Sequence, residues 1–99
     1  MKVEIDIITE EQKKLAKYAK ALCHPVRVHI MEILSASEHC YSGDLHELGI
    51  AKSTLSQHLK ALRESGLIQG HFELPRIKYC LNKQNWLEAQ QLFKQHLNL

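Results

Sequence analysis

Ile50-Ala51-Lys52-Ser53-Thr54-Leu55-Ser56-Gln57-His58-Leu59-Lys60-Ala61-Leu62-Arg63-Glu64-Ser65-Gly66 is the stretch on which the fold turns. Leu55, Leu59 and Leu62 recur at four- and three-residue steps, the spacing of one face of an α-helix. Lys52, Ser53, Ser56, Gln57, Lys60 and Arg63 fall outside that stripe and are short or polar. A helix is expected from about 52 to 65, with Gly66 as its C-terminal stop because glycine accepts a positive φ.

Upstream, Ser42 can cap a preceding short helix, with Asp44 in its first turn where the helix dipole favours a carboxylate. Leu45 and Leu48 would face inward, and Gly49 would end it. Two short helices joined by a tight turn make a helix-turn-helix, whose second helix reads DNA. Downstream, Ile68–Glu73 and Arg76–Leu81 read as two strands around Leu74-Pro75. Ile77, Tyr79 and Leu81 alternate with Lys78 and Cys80, which gives the second strand one apolar face. The turn has no glycine, so an irregular connection is expected. His39–Ser42 is expected as a short extended piece.

Helices flank this centre. Thr9-Glu10-Glu11-Gln12 has the form of a capping box, and Leu15, Tyr18, Ala19 and Leu22 follow at helical spacing. His24-Pro25 breaks that helix and starts another, lined by Val26, Ile30, Ile33 and Leu34. A last helix is expected over 83–97, with Trp86, Ala89, Phe93 and Leu97 on one stripe. The fold class is mainly α with a small β-hairpin wing, a winged helix-turn-helix. One domain is expected over 1–99, with 1–9 as an N-terminal arm, a helix over 10–22 and, over 83–97, an apolar stripe that is a candidate dimer face.

The net charge of +2 says little, but its distribution says more. Residues 1–51 carry a balance of −2, whereas 52–78 carry +3 from Lys52, Lys60, Arg63, Arg76 and Lys78 against Glu64 and Glu73. Positive charge gathered in one stretch suits a polyanion partner. Ser and Gln can hydrogen-bond base edges, and Lys and Arg can neutralise phosphates. No apolar run is long enough for a membrane span and the N-terminus lacks signal-peptide features, so the expectation is a cytoplasmic protein with no membrane partner and with reduced cysteines. There is no Gly-rich phosphate loop and no nucleophile elbow, which argues against an enzyme.

Several ordered motifs go further. Ala21-Leu22-Cys23-His24-Pro25-Val26-Arg27 resembles the opening motif of ArsR/SmtB regulators. Asp44-Leu45 and Ile50 to Leu59 resemble their recognition segment, and Leu62-Arg63-Glu64-Ser65-Gly66-Leu67-Ile68 its exit into the wing. Tyr79 and Leu81 resemble the wing's return strand. The resemblance covers residues 10–97 and implies a repressor that binds an inverted-repeat operator as a homodimer, released by an inducer. By position it makes Lys52, Ser53, Ser56 and Gln57 base and backbone readers and Arg76 and Lys78 wing contacts; Thr54, His58, Lys60 and Arg63, on the same helix, complete the residues assigned to DNA. His58 beside Leu59 also suits a packing or capping role. The resemblance also makes 10–22 and 83–97 the dimerisation helices, with Leu15, Tyr18, Leu22, Trp86, Ala89, Phe93 and Leu97 as the dimer face. Ala51 stands where a capping Ser is common, and Glu73-Leu74-Pro75-Arg76 lacks the usual wing glycine.

The family's Cys-x-Cys metal site would need cysteines at Tyr41 and Gly43, and its last-helix zinc site would need more than His96. Cys40 and Cys80 remain, on strands that pair in winged-helix folds. With Cys23, they could bind As(III) or another thiophilic ion, form a redox-sensitive disulfide, or be unrelated buried thiols. The competing function is a winged-helix module that binds a protein and has no inducer.

Overall fold

A computed structural model describes residues 7–36, 40–41, 49–73 and 76–98. The chain runs α1 (Glu10–Ala21), α2 (Pro25–Ala36), β1 (Cys40–Tyr41), α3 (Lys52–Ser65), β2 (Ile68–Glu73), β3 (Arg76–Leu81) and α4 (Lys83–Leu97). The helix expected between Ser42 and Leu48, the Leu74-Pro75 turn and the first part of the N-terminal arm lie outside the described residues.

Local chemistry sets the helix ends. At the start of α1, the Thr9 hydroxyl accepts from the Gln12 N–H at 3.0 Å, and the Gln12 side chain accepts from the Thr9 N–H at 2.8 Å. This reciprocal box satisfies two N–H groups that the helix itself cannot. At the start of α2 the cap is one-sided: His24 Nδ1 accepts from the Val26 N–H at 3.1 Å. Gly66 closes α3 at φ +88, and its N–H returns to the Arg63 carbonyl. A Cβ at Gly66 would sit 2.9 Å from Asn85 Nδ2, the group that donates to the Gly66 carbonyl at 2.8 Å. The end of α3 is thereby tied to the first turn of α4.

The sheet order is β1-β3-β2, antiparallel throughout. β2 and β3 form the wing in continuous register from Ile68↔Leu81 to Glu73↔Arg76. β1 joins the other edge of β3 with Cys40 opposite Cys80 and Tyr41 opposite Tyr79.

Tyr18, Ile30, Met31, Leu34, Leu62, Leu67 and Ile68 are fully buried where the helices meet the sheet. α1 packs on both α3 and α4. Between α1 and α4, the Tyr18 hydroxyl donates to Glu88 Oε1 at 2.7 Å and Lys14 Nζ to Oε2 at 3.1 Å. Burial, reinforced by the Glu88 carboxylate, pushes the Tyr18 hydroxyl up to about 12. The same hydroxyl, with Lys14, holds Glu88 below the usual carboxylate range.

Two expectations change. Tyr18 and Ala89, grouped with the dimer face, are 1% and 0% exposed within one copy. Their helices pack on each other intramolecularly, so neither side chain is free for a partner. The three cysteines, expected as thiols, divide into the disulfide pair Cys40–Cys80 and the free, exposed Cys23. Directly opposed cross-strand positions bring Cβ atoms within reach of each other, here with the Cα atoms 4.0 Å apart.

Candidate nucleic-acid interface

α3 presents two unlike sides. Leu55, Leu59 and Leu62 are buried against the core, whereas Lys52, Ser53, Thr54, Ser56, Gln57, Lys60 and Arg63 are exposed. The buried stripe fixes how the helix is rolled, and the roll decides what the outer side shows. Lys60 Nζ lies 3.9 Å from Glu64 Oε1, with both side chains about two-thirds exposed. A pair so wet and so long is worth little and leaves the ammonium free for another anion. Ala51 gives no side-chain cap, so the first-turn N–H groups have no acceptor from that position.

The preceding turn is described from Gly49, at φ +72, where a Cβ would meet nothing within 4 Å among the described residues. The wing follows directly after Gly66. Lys78 is half-buried, opposite His71, and Arg76 opens β3 opposite Glu73.

His58 parts from the other residues assigned to DNA. It is 7% exposed and points into the protein. Its Nδ1 accepts from Arg27 Nε at 3.0 Å, and its ring centroid lies 4.3 Å from that of His24. Burial first, then His24 and Arg27, hold it below the ordinary histidine range. Position 58 falls beside Leu55, Leu59 and Leu62 on the helical wheel, so it belongs to the inner side by geometry. Its partner Arg27 stands in the His24-Pro25-Val26-Arg27 motif, but periodicity alone does not pair residues on different helices.

Among the described residues, no group of three or more His, Cys, Asp or Glu is placed to hold a metal ion, and no helix is long and apolar enough to cross a membrane.

Comparison with known proteins places this geometry. The sequence profile described as "Bacterial regulatory protein, arsR family" matches residues 24–69, from the corner before α2 into the wing. The HTH-type transcriptional regulator YgaV of Escherichia coli is 32% identical over 82 residues, covering 82% of this chain and 83% of that protein. The chain belongs to the ArsR family. It is a winged helix-turn-helix transcriptional regulator of that family. A second relative, the biofilm growth-associated repressor of Xylella fastidiosa, is 34% identical over 70 residues, 71% of this chain and 61% of that one. In three dimensions the chain superposes on HlyU from Vibrio cholerae with a TM-score of 0.71 and 26% identity, covering 91% of this chain and 99% of the other. The matched profile spans α2, α3 and the start of the wing.

Proposed function

We propose that this ArsR-family protein is a cytoplasmic repressor that binds an inverted-repeat operator as a homodimer and carries no catalytic activity. One observation carries the reading: α3 exposes Lys52, Ser53, Thr54, Ser56, Gln57, Lys60 and Arg63 over an apolar stripe sunk in the core. In this reading α3 enters the major groove, where Ser56 and Gln57 meet base edges and Lys60 and Arg63 meet phosphates. Arg76 and Lys78 add wing contacts.

The dimer reading is supported by exposed apolar side chains beyond the protomer's core. Leu97 of α4 is 55% exposed, and Leu87, Val28, Ile7 and Ile8 are also open. A groove of about 590 Å³ lined by Leu22, Val28, Met31 and Trp86 lies between α2 and α4. A second copy would cover such surface. Leu15, Leu22, Trp86, Phe93 and Leu97 remain candidates for that face.

Footprinting the DNA upstream of the gene, followed by anisotropy titration across salt, tests the reading. Protection should be symmetric, with half-site centres about 34 Å or a multiple apart. Log K should fall linearly with log salt by about 0.9 per phosphate contact. A flat salt response, or no protected sequence, would instead favour a protein-binding module.

The inducer is assigned to Cys40 and Cys80. Their opposed register and disulfide favour a redox signal over a bound ion, although the reduced pair could also chelate As(III). The balanced step uses a peroxide: two thiols lose two protons and two electrons, the S–S bond forms, and the O–O bond breaks to give water and an alcohol. A dithiol reductant reverses it. The bond staples β3 of the wing to β1, the strand preceding the helix-turn-helix. Wild type should leave its operator in peroxide and rebind in dithiothreitol, whereas Cys40→Ser/Cys80→Ser should stay bound in both. A double variant released as readily as wild type, by peroxide or by arsenite, would remove these cysteines from sensing.

A further inference from the structure

His58 lies midway along α3, one residue after Gln57, and is turned into the protein. Its partner Arg27 sits in the first turn of α2. Arg27 Nε donates to His58 Nδ1 at 3.0 Å, and Nη1 reaches the Ala21 carbonyl at the end of α1 at 3.5 Å. One guanidinium thus spans the end of α1, the start of α2 and the middle of the reading helix. Among the described residues it has no carboxylate partner.

The chemistry of this contact is one-directional. A guanidinium has donors only, so His58 Nδ1 must present a bare lone pair and the ring must be the neutral Nε2–H tautomer. A second proton would land on Nδ1. It would turn acceptor into donor and set two cations 3.0 Å apart, with the His24 ring alongside. His24 gives no relief, because its own Nδ1 is engaged with the Val26 N–H. α1 and β2 also pack on α3, but the groups that act electrostatically on His58 are His24 of the corner and Arg27 of α2.

We infer that Arg27 and His58 are positioning residues: their hydrogen bond sets the roll of the reading helix, and proton uptake by His58 releases it and weakens operator binding. The inference rests on the reading that α3 contacts DNA. The linkage sign follows from a folded-state pKa lowered from 6.5. The released form binds the proton more readily, so the latch is intact above the ordinary histidine range, weakens as pH drops below it, and is lost as pH falls through the lowered folded-state value. That sign opposes bulk electrostatics. Acidification makes the whole protein more positive, which by itself strengthens attraction to phosphate.

The test is operator affinity from pH 8 to 5.5 at constant ionic strength, for wild type and His58→Asn. The Asn Oδ1 stands near the place of Nδ1, so it can accept from Arg27 but does not titrate. Wild type should weaken roughly fivefold on acidification, about the worth of one net hydrogen bond, while His58→Asn should hold or gain affinity. Parallel responses, or a wild type that tightens in acid, overturn the latch. Imidazole ¹⁵N NMR of wild type without DNA gives a readout that needs no variant to fold. His58 should show the Nε2–H tautomer and titrate below the ordinary histidine range, and titration within that range overturns the latch equally. If no DNA is bound at pH 8, the reading of α3 fails while the NMR result still decides the latch.

Discussion

Leu62→Ala is expected to lower the unfolding free energy by about 2–5 kcal/mol, the range for removing a buried leucine from a packed core. Leu62 is fully buried, the innermost of the three leucines that anchor α3. It sits where α3 meets both the helices and the sheet, beside the fully buried Leu67 and Ile68 that lead into the wing. These neighbours are held by the Gly66 turn and by the Asn85 hydrogen bond, so they are poorly placed to collapse into a vacated volume. The upper half of the range is therefore expected. For a domain near this length, each kcal/mol is worth about 4–8 °C in Tm. A loss of at least about 10 °C should be seen by circular dichroism at matched protein concentration, which matters if unfolding is coupled to dimer dissociation. DNA binding should fail at 37 °C and recover in the cold, because the outer side of α3 is untouched. A Tm within a few degrees of wild type would mean that the reading helix is not held by its apolar stripe.

What the sequence shows of this fold is what local rules determine. The Leu55–Leu59–Leu62 stripe, the Thr9–Gln12 box, the Gly66 stop and the bounds of the two wing strands each arise within a few residues. Periodicity and capping chemistry expose them. The alternation read in β3, by contrast, does not sort its burial, since Ile77 is exposed and Cys80 buried. What the sequence hides is pairing across distance. Arg27 and His58 are 31 residues apart and Tyr18 and Glu88 70 apart. Each of these pairs becomes visible only once the elements are packed. Cys40 and Cys80, 40 apart, could be matched beforehand only because a winged-helix resemblance puts their strands side by side. The terminal helices show a subtler limit. A stripe of Trp86, Ala89, Phe93 and Leu97 reads as one face, but the protomer buries Ala89 together with Leu92 and leaves Leu97 outside. A broad apolar surface on a helix is divided between inner and outer partners by tertiary packing, about which spacing is silent.

The outer side of α3 can be dissected by two changes three residues apart. Gln57 carries an amide with both a donor and an acceptor, the pair that matches the major-groove edge of adenine. Lys60 carries a point charge with donors only, held loosely by Glu64 and able to swing to a phosphate. Being at i and i+3, they point the same way from one rod, so a difference in outcome reflects chemistry rather than location. Gln57→Ala should lower the ratio of cognate to non-cognate affinity by about 1–3 kcal/mol, roughly five- to 150-fold, with the salt slope unchanged. Lys60→Ala should weaken both affinities alike and reduce the salt slope by about one. Neither side chain is buried, so neither change should move Tm by more than the small shifts typical of surface substitutions. Competition titrations with cognate and scrambled duplexes at several salt concentrations separate the two effects. If both variants lost affinity equally on every sequence, Gln57 would be touching the backbone, and base readout would have to lie with Ser53 or Ser56 nearer the start of the helix.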